Sequence, residues 1–264
     1  MNRYAVALCS LLAVVALAGC GTPGGTGTPT QSPAGSPNAT AGGPYDAPLT
    51  GSAVTERHRG AIDDAGTFRF RQSSTVRAAS SGALLQYRNV TAAVNRETGV
   101  YRATENTTTN QPADIYVGPN GTALLRQRLG DRTAYDRQVR DRNGSNPYAY
   151  PPIGRYLEGL EYSYNGTRET GGPTVHVYEA SGLDRLDVDE HGLTALDPGN
   201  LSAVSAELWV TDGGRLQAFR YDVVGTNRFG NRLRFTVALQ YSGVGSTTVT
   251  EPSWTAEAER ATAG

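Results

Sequence analysis

The sequence predicts a mainly β protein with a few helices (α+β), with a single β-rich domain at residues 49–264. Two observations predict the strands: long segments in which apolar and polar residues alternate, and turns rich in Gly and Asn between them. A third observation is the size of this region, about 200 residues, which suits one large β sandwich or barrel with a single core.

Residues 1–19 are predicted to be a lipoprotein signal peptide. Arg3 precedes an apolar run from Tyr4 to Leu17, which is shorter than the ~20 residues needed to span a bilayer. The run ends in Leu-Ala-Gly-Cys, a lipobox, in which the thiol of Cys20 is the group that accepts a diacylglycerol thioether. We therefore expect the chain to be anchored to the outer face of the cell membrane through Cys20. The alternatives are an ordinary signal peptide with an incidental cysteine and an uncleaved membrane helix.

Residues 20–48 are predicted to be the lipidated Cys and a disordered Gly/Thr/Pro/Ser tether. The segment has almost no large apolar side chain, so it cannot bury enough surface to offset the entropy cost of ordering. The following segment, 52–65, places Val54, His58, Ala61 and Ile62 on one side of a helix that Gly66 terminates. We interpret His58 as a packed histidine.

After Gly66 the period of the apolar residues changes to two, which indicates antiparallel strands. The clearest hairpin flanks Asp212-Gly213-Gly214, and the clearest strand is 232–241, with Leu233 to Tyr241 alternating on one face. The other predicted strands are 67–77, 84–95, 99–105, 115–117, 122–129, 174–180, 206–211 and 215–224. A helical segment at 151–160 and an irregular acidic stretch at 183–201 interrupt them.

The composition excludes several kinds of chemistry. All 24 basic residues are Arg, so no lysine is available for a Schiff base, pyridoxal phosphate or a Walker-type phosphate site. Cys9 and Cys20 both precede the predicted domain, which excludes disulfides and thiol catalysis within it. The net charge is -1 and the arginines are dispersed among acids, so nucleic-acid binding is not expected.

Seven Asn-x-Ser/Thr triplets are candidate sites of N-glycosylation. They are Asn38, Asn89, Asn106, Asn120, Asn143, Asn165 and Asn200. We expect only some to be used, because an Asn- and Thr-rich secreted protein also acquires such triplets by chance.

One segment, Asp187 to Gly192, starts like a calcium-binding loop, with acids at the first and third positions and glycine at the sixth. It has His191 at the fifth position and Pro198 at the twelfth, where the loop requires a bidentate glutamate. We interpret it as a solvated acidic turn and expect no metal and no cofactor. No hydrolase elbow, zinc helix or dinucleotide loop is present, and His176 is interpreted as packing within a strand, so we predict a protein that is not an enzyme.

The order of these features resembles that of uncharacterised lipoproteins of halophilic archaea. The order includes the strand pair around Ala206-Glu207-Leu208-Trp209-Val210-Thr211-Asp212-Gly213-Gly214-Arg215-Leu216. It is similar, more distantly, to lipoprotein carriers of the LolA, LppX and LprG type, over roughly residues 49–242. The resemblance implies a curved antiparallel sheet or half-open barrel packed on helices, which encloses a cavity for acyl chains.

From these observations we expect a membrane-tethered lipoprotein, a monomer that binds or carries a lipid or other apolar ligand. The alternative is a non-enzymatic cell-envelope interaction or structural module. An accessible apolar cavity distinguishes the two hypotheses.

Overall fold

A computed structural model describes residues 43–46, 48–109, 112–139, 148–150, 153–170, 172–183, 186, 191 and 193–263. The helices in these ranges are α1 (Gly51–Ala65), α2 (Gly154–Leu157), a 3-10 helix (Pro198–Asn200) and α3 (Thr255–Ala261). The first strands are β1 (Thr67–Ala78), β2 (Leu84–Asn95), β3 (Tyr101–Thr107), β4 (Ala113–Val117), β5 (Thr122–Leu129) and β6 (Arg132–Val139). The others are β7 (Tyr162–Arg168), β8 (Val175–Ser181), β9 (Leu201–Thr211), β10 (Leu216–Thr226) and β11 (Arg232–Ser242).

These strands form one curved antiparallel sheet in the order β6-β5-β4-β3-β2-β1-β11-β10-β9-β8-β7. Neighbours in the sheet are neighbours in sequence except at the pairing of β1 with β11, which runs from Arg69–Ser242 to Ala78–Leu233. The sheet is not closed, because β6 and β7 are its two edges. The predicted fold class is therefore confirmed: a mainly β, antiparallel architecture with a few helices.

Helix α1 covers one face of the sheet, which we call the inner face. The hydroxyl of Thr50 caps the helix by accepting from the backbone N–H of Ala53, and the helix ends at Gly66, whose φ of 69° suits glycine. Its buried side carries Val54, His58 and Ile62, as the spacing predicts. These side chains share the main core with inner-face residues of the strands, among them Phe68, Phe70, Phe219, Tyr221 and Tyr241.

The C-terminal segment packs on the opposite, outer face. Trp254 and Ala258 are buried there against Tyr116 and Leu124, which alternate with inner-face residues on β4 and β5. The ring of Tyr135 on β6 stacks on Trp254 at 6.4 Å between centroids. This second, smaller cluster fixes α3 over β4–β6.

Several elements differ from the prediction. Strands β6 and β7 and helix α3 were not predicted. Strand β9 begins at Leu201, within the stretch that we expected to be irregular. The helix predicted at 151–160 is the single turn α2. The predicted start of the domain at residue 49 lies inside a packed segment, since Tyr45 is buried and its hydroxyl donates to the carbonyl of Gly214 at 2.5 Å.

Candidate functional site

The inner face is filled with side chains where α1, residues 148–150 and residues 153–157 cover it. The ring of His58 meets that of Tyr241 edge-on, with 4.4 Å between centroids. The Tyr241 hydroxyl donates to the carbonyl of Tyr148 at 3.1 Å, and burial raises the pKa of Tyr241 well above its usual range. The Tyr156 ring stacks on Phe219 at 5.9 Å. This part of the inner face is a packed core.

His191 anchors the acidic stretch to this core. Its Nε2 lies 2.9 Å from the carbonyl of Glu158, and its Nδ1 lies 2.8 Å from the hydroxyl of Tyr221. Because a carbonyl can only accept, Nε2 carries the proton and Nδ1 accepts from the tyrosine. The interpretation of 187–192 as a solvated turn is therefore wrong for His191, which is 2% exposed; the rest of that segment lies outside the described residues.

Another part of the inner face is only half covered. Val76 on β1 is paired with Phe235 on β11, and Val237 lies two residues farther along β11. All three side chains are half-buried and pack against the core cluster. They form an apolar strip toward the C-terminal end of β1, the end farther along the chain from α1. We call this strip, with its polar border, the open end.

Polar side chains border the strip on β1, β2 and β3. The guanidinium of Arg88 lies 2.9 Å from a carboxylate oxygen of Glu105 and 3.4 Å from the amide oxygen of Gln72. The Gln72 amide donates to the hydroxyl of Ser74 at 3.2 Å. The open end thus offers an apolar surface beside a hydrogen-bonded ion pair, an arrangement that suits an amphipathic ligand.

The outer face carries charged clefts. In the cleft that spans β7 to β11, Asp222 accepts from Arg234 and from Thr236, both at 2.9 Å. On β4, partial burial would raise the pKa of Asp114, but hydrogen bonds from Arg126 and Thr104, with the positive charge of Arg126, hold it below its usual value. The cleft over β1–β3 is lined by Arg69, Arg71 and Arg102.

His176 has polar partners that its spacing did not predict. Its Nε2 lies 2.8 Å from a carboxylate oxygen of Asp212, and its Nδ1 lies 3.0 Å from the hydroxyl of Tyr164. Since the carboxylate accepts, Nδ1 in the neutral ring accepts from the tyrosine. The hydrogen bonds from Tyr164 through His176 to Asp212 join the β7–β8 edge to the Asp212 turn. The Tyr164 ring also packs on the Tyr178 ring, with 5.4 Å between centroids.

Comparison with protein families gives one match. The model of DUF7537, a family of unknown function, matches residues 5–258. The chain belongs to DUF7537. A search of curated proteins found no match.

Among solved structures, the DUF7537 chain matches a LolA superfamily protein of Nitrosomonas europaea and a DUF1329 family protein of Desulfovibrio piger. The first match has 9% identity, covers 77% of this chain and 95% of the other, and has a TM-score of 0.25. The second has 8% identity, covers 77% and 94%, and has a TM-score of 0.24. Likeness at this level says nothing about the ligand.

The described candidate acceptors of N-glycosylation in this DUF7537 member lie at the surface or partly so. Asn89 is exposed on β2 and is directly paired with half-buried Asn106 on β3, so two glycans here would compete for the same space. Asn120 lies in the β4–β5 turn, Asn165 is exposed on β7, and the Asn200 amide donates to Asp197 at 2.7 Å. Cys20, Asn38 and Asn143 lie outside the described residues.

The described residues of this DUF7537 chain contain no group of three or more His, Cys, Asp or Glu side chains that could hold a metal ion. No helix within the same ranges is both long and apolar enough to cross a membrane.

Proposed function

We propose that this DUF7537 protein is a non-enzymatic extracytoplasmic lipoprotein, tethered through Cys20, that binds a lipid or other amphipathic apolar ligand at the open end of its inner face. The observation that carries the proposal is the half-buried strip of Val76, Phe235 and Val237 on a face that is packed elsewhere under α1. Apolar surface left partly exposed beside a core favours the binding of an apolar group.

The polar border gives the proposed ligand an orientation. Its acyl or other apolar part lies on the strip, and its polar head lies beside Arg88 and Glu105, which are already paired at 2.9 Å. Arg88 can donate from its planar guanidinium to a phosphate or carboxylate group while Glu105 keeps it in place.

The test uses the full chain purified from its own membrane. Native mass spectrometry with organic extraction measures the copurified ligand, and a fluorescent fatty acid measures uptake. Val76→Trp fills the strip with a large ring, so we expect uptake to fall at least tenfold. Thr75→Trp is the matched control, because Thr75 is also half-buried but projects from the outer face of the same strand.

An apo wild-type chain that takes up no added lipid would contradict the lipid proposal. Equal uptake by the two tryptophan variants would place any ligand elsewhere on the molecule. The first result favours the second candidate, a cell-envelope interaction module, which is supported by the tight packing of His58, Tyr221 and Tyr241 on the inner face.

A further inference from the structure

A cleft of about 580 Å³ lies on the outer face over β1, β2 and β3. The strand register places Arg69, Ala93 and Arg102 in one row across the three strands. Arg71 and Thr91 belong to the next row on this face, two residues farther along each strand. The small side chains Ala93 and Thr91 are therefore the floor, with arginines on both sides of it.

The C-terminal segment forms another wall of this cleft. It leaves the sheet at Ser242, and the N–H of Gly245 donates to the carbonyl of Thr67 at 2.8 Å. Its residues Thr248 and Thr250 then line the cleft with hydroxyl groups. The lining consequently contains three guanidinium groups and several hydroxyl donors, and no carboxylate from the part of the chain that the structure describes.

The three arginines differ from others on the outer face. None of the three makes an ion pair or a side-chain hydrogen bond with the described residues, although the charge of Arg102 contributes to lowering the pKa of Asp114. Three other arginines on this face are paired with acids: Arg126 with Asp114, Arg168 with Glu207, and Arg234 with Asp222.

Two acidic residues lie close to the cleft residues in sequence or in strand register, and each has its own ion-pair or hydrogen-bond partner. Asp114, which follows Thr104 in the second row, is held by Arg126 at 2.5 Å. Glu251, which follows Thr250, accepts from the hydroxyl of Thr255 at 2.6 Å. Neither acid forms an ion pair with the three cleft arginines within the described residues.

We infer that this cleft is a binding site for a phosphate-type oxyanion, separate from the open end and independent of the lipid proposal. Arg69 and Arg71 are ~7 Å apart along the strand, and Arg102 is ~10 Å from Arg69 across two strands, by standard strand spacings. Guanidinium groups on opposite walls can donate pairs of hydrogen bonds to one anion over the small floor residues. Three such groups favour a phosphate or diphosphate over a single carboxylate.

The phosphate group can belong to a soluble ion or to a phospholipid head, and the probes distinguish these sources. The full chain in neutral detergent is titrated calorimetrically with inorganic phosphate, with diphosphate, and with micelles doped with an anionic phospholipid. A buffer near physiological ionic strength screens interactions beyond ~8 Å. Binding of either soluble anion indicates a soluble ligand, and binding of the doped micelles alone indicates a lipid head.

The decisive variant is Arg71→Gln/Arg102→Gln, which removes one arginine from each wall. The charge-matched control is Arg77→Gln/Arg128→Gln, because both of these arginines are exposed and neither lines the cleft. We expect the cleft variant to bind at least tenfold more weakly and the control to change less than twofold. Ala93→Glu, which puts a carboxylate on the floor between two arginines, is expected to abolish binding without loss of folding. An equal loss in the two double variants, or no binding of any probe by the wild type, would overturn the inference.

Discussion

At His58, the fold removes an ionisable ring from water, and neither ring nitrogen has a side-chain hydrogen-bond partner among the described residues. Burial lowers the pKa of His58 to about 4; the charge of Arg215 acts in the same direction, and the carbonyl of Ala149 and the charge of Asp63 oppose it weakly. The protonated ring is therefore compatible with the unfolded chain but not with the native core.

This shift predicts a loss of stability in mild acid. Below pH 6.5 the unfolded chain binds a proton at His58, whereas the folded chain does not until about pH 4. The free energy of unfolding should therefore fall by up to about 3 kcal/mol as the pH drops through that window, by linkage. Urea denaturation at pH 7.5, 6.0, 5.0 and 4.0, which roughly spans this window, measures the free energy of unfolding at each pH.

The variants His58→Leu and His58→Gln separate titration from packing. Neither replacement titrates, so both should lose less stability than the wild type between neutral and mildly acidic pH. His58→Gln should be less stable than His58→Leu at every pH, because it buries an amide with no partner. The wild-type pH dependence would have another origin if His58→Leu retained it in full.

At the scale of elements, α3 depends on one aromatic side chain. Trp254 is 5% exposed, packs on Tyr116 and Leu124, and lies 5.2 Å beneath the guanidinium carbon of Arg126. Trp254→Ala should cost about 3 kcal/mol of local stability. We expect hydrogen exchange to speed up in α3 while α1 remains protected, because the two helices pack on opposite faces of the sheet.

Trp209→Ala is the matched control for this loss. Trp209 is the other tryptophan, is half-buried on β9, and lies beneath Arg168 at 4.8 Å. Its replacement should leave exchange in α3 unchanged. Slower or unchanged exchange in α3 of Trp254→Ala would mean that the helix is held by other contacts.

The strands that the sequence failed to predict are less buried than the elements that it predicted. Helix α1 and strand β11 were predicted because one side of each is apolar and the other polar. The two strands that were missed, β6 and β7, are the edges of the sheet. β6 has no buried residue, and β7 contains Asn165-Gly166, which suggests a turn. An edge strand has one partner, so its residues carry a weaker alternating pattern.

At the scale of the whole molecule, the sequence predicted local hairpins but not the pairing of β1 with β11. Alternation specifies which side chains face inward, yet it does not specify which distant strand lies alongside. The same limit applies to the two candidate sites. The arginine cleft needs Arg69 and Arg102 to lie on either side of Ala93, and the open end needs Val76 to meet Phe235. Each arrangement is formed by cross-strand register.

The membrane tether is the remaining prediction at this scale, and it depends on Cys20. If the lipobox is processed, intact-mass analysis of the membrane fraction should give a chain that begins at residue 20 and carries a diacylglycerol thioether. Cys20→Ser removes the sulfur that accepts the lipid, so we expect a chain that keeps residues 1–19 and carries no lipid.

Cys9→Ser is the matched control, since Cys9 is the only other cysteine and lies within the apolar run before the lipobox. It should be processed and lipidated like the wild type. A lipid that persists in Cys20→Ser, or a wild-type chain cleaved elsewhere without lipid, would refute the anchor. The anchor bears on both binding proposals, because it would hold the domain near lipid heads, so the phosphate and fatty-acid probes are best compared on the lipidated, full-length chain.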